Sequence, residues 1–176
     1  MDVSVLVESI KADRTKHNIN LLIDEVLRTG LDWDDFFDVF HATEYPLKWH
    51  LSWWFGHYIK LHQSLGYHIQ NRIWKELSIY KHPSIQRDLW RTFSYISLND
   101  EMTGVLFDAA LKKIPSQLYS VAERAYAMEV AMNVCKQIPE LSFELILVLE
   151  GLEEEESIGI RARARNFLKP LKKMIP

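Results

Sequence analysis

The chain has 176 residues, of which 48% are hydrophobic and 26% charged, with a formal net charge of −3. Six glycines and six prolines are too few for the many tight turns of a β-sandwich or barrel, so the composition favours helices. A single cysteine excludes an internal disulfide, and the longest apolar run, residues 145–149, is too short to span a bilayer. We expect one domain, 1–176, in the cytoplasm, with no signal peptide and no membrane contact.

The charge is unevenly distributed along the chain. Residues 1–45 hold ten acidic and four basic residues, whereas residues 157–176 hold six basic residues and no acidic one. Such blocks are most often solvated faces of the first and last helices. The alternative is that complementary ends bring copies of the chain together head to tail.

Apolar residues recur with helical periodicity along nearly the whole chain, and no segment alternates like a strand. The pattern predicts ten helices, near 2–12, 16–29, 33–41, 46–63, 67–79, 84–97, 102–113, 120–137, 140–152 and 157–173. Pro46, Pro83 and Pro139 suit first helical turns, where the missing amide has no intrahelical partner. Gly30 and Gly66 are expected to mark helix ends.

The predicted helices repeat with a period of 37 residues. Helix starts, a basic position and two apolar positions recur in the same registers: Pro46, Pro83, Ser120 and Ser157; His50, Arg87, Arg124 and Arg161; Trp53, Trp90, Ala127 and Ala164; Phe36, Ile73, Ala110 and Leu147. A helix pair of this size cannot bury its apolar faces alone, so successive pairs are expected to stack.

Three stretches carry a family resemblance: HPSIQRDLWRTFSYIS, YSVAERAYAMEVAMNVCKQIPEL and SIGIRARARNFLKPL. They resemble the second helices of HEAT repeats, within the HEAT/armadillo type, and also a group of small uncharacterised bacterial HEAT-like proteins. The resemblance implies an all-α fold, a HEAT-like solenoid in which α-α pairs form a right-handed superhelix. Residues 1–30 would be a capping helix pair and residues 31–173 about four repeats, with the second helices lining a concave face.

HEAT proteins mostly act as protein-binding scaffolds, so the second-helix face is the expected binding surface. Large aromatic residues without aromatic counterparts in other repeats, and arginines beside them, are interface candidates. The predicted partner-binding residues are Trp49, Trp54, His57, Tyr58, Arg87, Arg91 and Tyr95. A mixture of arginine and aromatic side chains suits an acidic or phosphorylated segment.

Several of these candidates also have a structural interpretation. Trp49 and Trp54 could pack in the core instead of contacting a partner. Arg87, and likewise the repeat-start arginines 124 and 161, could bind carbonyls or acids of the neighbouring repeat. Glu129, isolated in an apolar helix, is a natural partner for Arg91 or Arg165.

No motif predicts catalysis, a cofactor or a metal site. His50 and His57 share a helical face but lie about 10 Å apart along the helix axis, too far for one metal ion. Cys135 falls in an apolar stripe, where a small core residue is expected rather than a nucleophile.

The sequence therefore predicts a non-enzymatic scaffold or adaptor that binds a protein or peptide. The alternative is a nucleic-acid-binding protein resembling the HEAT-like alkylpurine DNA glycosylases, which handle an exposed base with aromatic and acidic residues on a basic face. Tryptophan, tyrosine, arginine and Asp88 are present in the appropriate kind of helix. A net charge of −3 weakens the phosphate-neutralising contribution to nucleic-acid binding and disfavours this alternative.

Overall fold

The computed structural model describes residues 1–152, 154 and 157–174, and within these residues it contains helices and no strand. The elements are α1 (Val3–Ala12), α2 (Lys16–Thr29), α3 (Trp33–Ala42), α4 (Leu47–Leu61), α5 (Gln63–Leu77), α6 (Pro83–Phe93), α7 (Asp100–Lys113), α8 (Val121–Gln137), a 3-10 turn (Pro139–Leu141), α9 (Ser142–Glu150) and α10 (Ile158–Leu171). The all-helical prediction is confirmed. No helix in the described part of the chain is both long and apolar enough to cross a membrane.

Side chains that accept hydrogen bonds from first-turn amides fix several helix starts. The Asp32 carboxylate accepts from the amides of Asp34 at 2.9 Å and Asp35 at 3.2 Å. Ser120 and Glu123 form a reciprocal capping box, in which Ser120 Oγ accepts from the Glu123 amide and Glu123 Oε2 accepts from the Ser120 amide. These two starts agree with the sequence prediction.

Glycine and proline mark the helix ends less reliably than predicted. Gly30 ends α2 with a φ of 76°, a conformation that glycine adopts at little cost. Gly66, however, lies inside α5, and the break falls at His62, whose backbone is non-helical. A mid-helix glycine costs only about 1 kcal/mol relative to alanine, so packing can override it. Pro46 precedes α4 after a cis peptide bond, and Pro139 opens the 3-10 turn instead of α9.

The chain divides into two compact units, Met1–Leu61 and His62–Pro176. Unit 1 contains α1 to α4, and α1 packs against the other three helices. Its core is aromatic, with Phe36, Phe40, Trp54 and Phe55 each no more than 1% exposed. The boundary between the units follows α4, whereas the sequence placed a capping pair at 1–30, and the expectation of a single domain stays a prediction.

Unit 2 is organised around α8, which contacts α6, α7, α9, α10 and the 3-10 turn. Buried residues occur on nearly every side of α8, including Ala127, Met128, Val130 and Val134. A helix packed on all sides has little amphipathic character, which is why its sequence is apolar nearly all round. The prediction of an inner helix at 120–137 is confirmed.

The first-helix register holds through three repeats and fails in the fourth, and in the second-helix register Trp53 is only half-buried whereas the other three positions are buried. Phe36, Ile73 and Ala110 are each at most 1% exposed, whereas Leu147 in the same register is 71% exposed. The 3-10 turn before α9 advances the chain by about 120° per residue instead of 100°, so the following helix is rotated relative to the repeat. Leu145 and Leu149 therefore face the core of unit 2 instead.

Candidate functional site

Two of the predicted partner-binding residues on α4 lie in the core of unit 1. Trp54 is 0% and Tyr58 is 7% exposed, and their rings stack with centroids 5.5 Å apart. Trp54 also lies 5.7 Å from the ring of Phe36. The prediction that this tryptophan contacts a partner is therefore wrong, and its alternative, packing in the core, is what the structure shows, because aromatic side chains of α3 cover it. Trp54 and Tyr58 fill the core and are not proposed as contacts for a partner.

The other two α4 candidates are half-buried and bound within their own helix. Trp49 Nε1 donates to His50 Nε2 at 3.0 Å, and the ring of His57 lies 4.5 Å from that of Trp53. The His57 Nδ1 atom is 2.9 Å from the carbonyl oxygen of Trp53. Burial, and then the charge of Arg14, lower the pKa of His50, which favours its neutral form as an acceptor.

The α6 candidates meet at one buried carboxylate. Asp88 is 1% exposed, and its Oδ1 atom lies 3.2 Å from Arg87 Nη2 and 3.1 Å from Arg91 Nη2. The side chain of Arg87 is 40% exposed, while that of Arg91 is 12% exposed. Arg91 Nη2 is within ion-pair distance of Asp88, yet neither Nη2 nor Nε of Arg91 makes a hydrogen bond to the described residues. Two guanidinium groups against one carboxylate leave a local excess of one positive charge.

Tyr95 continues this surface at the end of α6. Burial raises the pKa of Tyr95, and the neighbouring Tyr126 and Asp88 raise it further, while Arg91 lowers it. A shallow recess of about 240 Å³ lies beside Tyr95, between the ends of α6 and α8. Asn133 and Lys136 line the recess, and Asn133 Nδ2 donates to the Ser94 carbonyl at 3.2 Å.

The row of second helices extends from α8 to α10. Arg163 Nη2 bonds Glu129 Oε2 at 2.5 Å, and its guanidinium carbon lies 5.5 Å from the ring of Phe167. The expected partner of Glu129 was Arg91 or Arg165, so that prediction is wrong. The reason is that Arg91 is held by Asp88 on its own helix, and Arg165 is exposed. We call the surface formed by Arg87, Arg91, Tyr95, Tyr126 and Arg163 the second-helix face of unit 2.

The repeat-start arginines do not share one role. Arg124 is 2% exposed and its Nε donates to the Ile114 carbonyl at 2.7 Å, so its role is structural, although Ile114 ends α7 of the same helix pair instead of lying in a neighbouring repeat as expected. Arg87 instead contacts an acid of its own helix. In the basic C-terminal segment, Lys172 lies 2.6 Å from Glu150, so part of that charge is neutralised locally. Head-to-tail association of the chain stays a prediction.

The ion pair of α6 replaces apolar residues of the neighbouring copies. In the 37-residue register, Asp88 corresponds to Leu51 on α4 and Ala125 on α8, and Arg91 corresponds to Trp54 and Met128. Leu51, Trp54 and Met128 are all 0% exposed. Sequence reasoning singled out Arg91 but missed the role of Asp88 as its partner, although the change from leucine to aspartate at one register was visible.

The remaining candidates for chemistry lie elsewhere. Cys135 is 0% exposed, and burial raises the pKa of its thiol to about 11, as fits the small core residue that was predicted. Among the described residues, no group of three or more histidine, cysteine, aspartate or glutamate side chains is placed to hold a metal ion.

Comparison with known protein families shows the family to which the chain belongs. The HEAT repeat domain family matches residues 6–171, nearly the full length, and the protein belongs to this family. This membership, together with the helices described above, confirms the predicted class, an all-α HEAT-like solenoid. HEAT repeats commonly serve as scaffolds for protein interactions. Neither the curated proteins nor the solved structures yielded a match to this chain.

Proposed function

We propose that the protein is a non-enzymatic scaffold whose second-helix face in unit 2 binds an acidic segment of another protein. The observation that carries this proposal is the buried Asp88–Arg91 pair, which occupies registers that are apolar on α4 and α8.

The energetics of such a pair argue against a purely structural role. Desolvation of two charges offsets most of their attraction, and replacing a buried ion pair with apolar residues of similar volume is often neutral or stabilising by about 1–4 kcal/mol. Leu51 with Trp54, and Ala125 with Met128, show that this chain contains apolar residues that fit the same registers. A charged pair at this place therefore calls for an explanation other than stability.

The donors of the site fit an anionic acceptor. The Nε and Nη2 groups of Arg91 are buried and make no hydrogen bond to the described residues, and the part of this side chain that stays exposed presents a cation to which a carboxylate or phosphate could bind. Arg87, with 40% of its side chain exposed, lies on the same carboxylate and could turn toward the same ligand. Asp88 orients the two guanidinium groups and lowers the cost of keeping Arg91 charged while it is largely buried.

The surroundings extend the site into a surface suited to a peptide. Tyr95 and Tyr126 offer aromatic area with a polar hydroxyl, the combination that is enriched at interfaces. The recess beside Tyr95 adds Lys136, a third cation. A segment with two or more acidic residues could thus contact both ends of the face.

A double variant, Asp88→Ala with Arg91→Met, tests the proposal. It installs the residues that α8 has at the same registers, Ala125 and Met128, so the fold should be preserved. Purified chain would be used to select from a display library of proteome-derived peptides, and the affinities of selected peptides would be measured by fluorescence anisotropy. We expect the wild type to enrich peptides rich in aspartate, glutamate or phosphoserine, and the double variant to lose this enrichment.

A matched control is Arg72→Met on α5, a first helix of the same unit. Arg72 is 31% exposed and lies 3.8 Å from Glu76, so its loss removes one charge without touching the second-helix face. This variant should keep the binding of selected peptides. Selection of peptides without acidic residues, or an unchanged affinity for the double variant, would contradict the proposal. Tighter binding of a DNA duplex than of any peptide would favour the nucleic-acid alternative instead.

A further inference from the structure

A pocket of about 600 Å³ lies in unit 2, away from the second-helix face. It opens where the ends of α5 and α7 meet the starts of α6 and α8, so two consecutive helix pairs form its walls. Its volume is within the range of small-molecule sites, about 300–1,000 Å³. Nothing in the function proposed above uses this cavity.

Aromatic side chains form much of the wall. The rings of Trp74 and Trp90 meet edge to face, with centroids 6.2 Å apart and an interplanar angle of 84°. Tyr119 and Leu118, which is 92% exposed, come from the connection between α7 and α8. An apolar, planar ligand body fits against such walls because aromatic faces favour stacking and edge contacts.

Three lysines and one glutamate line the same pocket. Lys113 is 6% exposed and Glu123 is 2% exposed, whereas Lys81 and Lys112 are exposed to solvent. The Lys113 ammonium lies 3.5 Å from the centroid of the Tyr119 ring and 5.6 Å from that of Trp90. Three positive charges against one negative charge favour an anionic ligand.

The hydrogen bonds of this group leave the Lys113 ammonium with weak partners only. Glu123 Oε2 accepts from the amide and the hydroxyl of Ser120 at 2.9 and 2.7 Å, which fixes the carboxylate in the capping box. Lys113 Nζ is 3.4 Å from both Glu123 Oε1 and Gln86 Oε1. Both distances exceed the usual donor–acceptor distance of about 2.7–3.2 Å for N–H···O hydrogen bonds. Trp90 is 1% exposed, and its indole N–H has no acceptor among the described residues.

We propose that this cavity, the lysine pocket, binds a small organic anion that has an aromatic body and one carboxylate or phosphate group. Lys113, together with Lys81 or Lys112, holds the anionic group, and Trp74 and Tyr119 contact the aromatic body, with the buried Trp90 packed against Trp74. Burial lowers the pKa of Lys113, although Glu123 raises it, and a bound anion would favour the charged amine further.

Nuclear magnetic resonance titrations with four matched probes test the charge and shape requirements. Phenylacetate and phenyl phosphate are the anions, 2-phenylethanol is the neutral analogue and phenethylamine is the cation. Indole N–H signals provide the readout, because Trp74 and Trp90 line the pocket while the other four tryptophans lie in unit 1. Trp74→Phe assigns one of the two signals.

We expect saturable shifts of the Trp74 and Trp90 signals with the two anions, affinity at least tenfold weaker for the alcohol, and no binding of the amine. The carboxylate and phosphate probes show which head group the pocket prefers. Equal affinity for the anion and the alcohol, or shifts confined to the tryptophans of unit 1, would overturn the proposal.

Lysine variants test the assigned contacts. Lys113→Met could disturb Glu123, so Lys81→Gln with Lys112→Gln, both at exposed positions, is the primary variant. Losing two partly solvated charges should weaken anion binding about 5- to 10-fold. Each exposed ion pair between a lysine and the anion contributes up to about fivefold in affinity. Lys75→Gln, an exposed residue of α5 outside the pocket, is the control and should keep wild-type affinity. The same affinity for all three proteins would contradict the assignment.

Discussion

α4 and α6 occupy equivalent places in the repeat, 37 residues apart, and show two ways of filling the same registers. On α4, Leu51 and Trp54 are fully buried apolar residues. On α6, the corresponding Asp88 and Arg91 are a carboxylate that is 1% exposed and a guanidinium that is 12% exposed. On these two helices the repeat register thus predicts burial, whereas the side chains at the buried positions decide whether they are apolar or charged, and we propose that the charged helix is the one that binds a partner.

The largest loss of stability is expected from a substitution in the buried face of α4. Trp54→Ala removes a fully buried indole that packs against Phe36 and Tyr58. Such a deletion typically costs about 3–5 kcal/mol, through lost transfer energy and the cavity left behind. Guanidinium chloride unfolding would measure it. Trp49→Ala, which truncates a half-buried tryptophan on the same helix, is the control and should cost less than half as much. Equal losses would mean that burial does not distinguish the two sites.

A single substitution on α6 should cause the next largest loss of stability. Asp88→Ala removes the carboxylate and leaves Arg91 largely buried without its counter-ion, which costs about 3–5 kcal/mol when a buried pair is broken. We expect the lower end of that range, because Arg91 retains some contact with water. Urea unfolding of the variant measures the loss. A cost below about 1 kcal/mol would show that Asp88 does not hold the guanidinium groups.

The double change on α6 should alter the free energy of unfolding less than the single change, and any alteration should be an increase. Asp88→Ala with Arg91→Met removes both charges and restores apolar residues, so the free energy of unfolding should stay within error or rise by about 1–4 kcal/mol. The measured quantity is the non-additivity of the double variant relative to the single variants Asp88→Ala and Arg91→Met. If the double variant is as unstable as the single one, the pair contributes to stability and the argument for binding loses its basis.

The sequence predicted the all-helical repeat because helical periodicity and the 37-residue spacing both reflect burial, which recurs from repeat to repeat. The same logic placed Trp90, Ala127 and Ala164 correctly. It failed for Leu147, where a 3-10 turn changes the helix phase without leaving a clear mark in the apolar pattern.

Of the predicted site residues, the structure groups only those near a charge. Arg87 and Arg91 both contact Asp88, and the charges of Arg91 and Asp88 act on the pKa of Tyr95, while binding of a partner there stays a prediction. Trp54 was predicted at the surface because it has no aromatic counterpart in the other repeats. That criterion does not indicate exposure, since the aromatic core of unit 1 is itself specific to that unit. The lysine pocket was missed because its residues come from four helix ends, and no single segment carries its pattern.

The smallest effect on stability is expected from Tyr58 on α4 and Tyr95 just after α6, which are 37 residues apart and share a register. Burial raises the pKa of both phenols above their ordinary value of 10.0, and only Tyr95 has a cation, Arg91, that opposes the rise. Above pH 10.0 the unfolded chain loses these protons before the folded chain does, so stability falls as the pH rises toward the folded pKa values. Tyr58→Phe should reduce that alkaline loss of stability, measured by urea unfolding at several pH values.

Arg91→Met separates the two tyrosines. It removes the cation that lowers the pKa of Tyr95 and leaves Asp88, which raises it, so the pKa of Tyr95 should rise further while that of Tyr58 stays unchanged. Carbon-13 resonances of labelled tyrosine, assigned with Tyr58→Phe and Tyr95→Phe, would follow each phenol. A pKa of Tyr95 that does not respond to Arg91→Met would place the guanidinium too far from Tyr95 for the two to bind one ligand, and would restrict the second-helix face to Arg87 and Arg91.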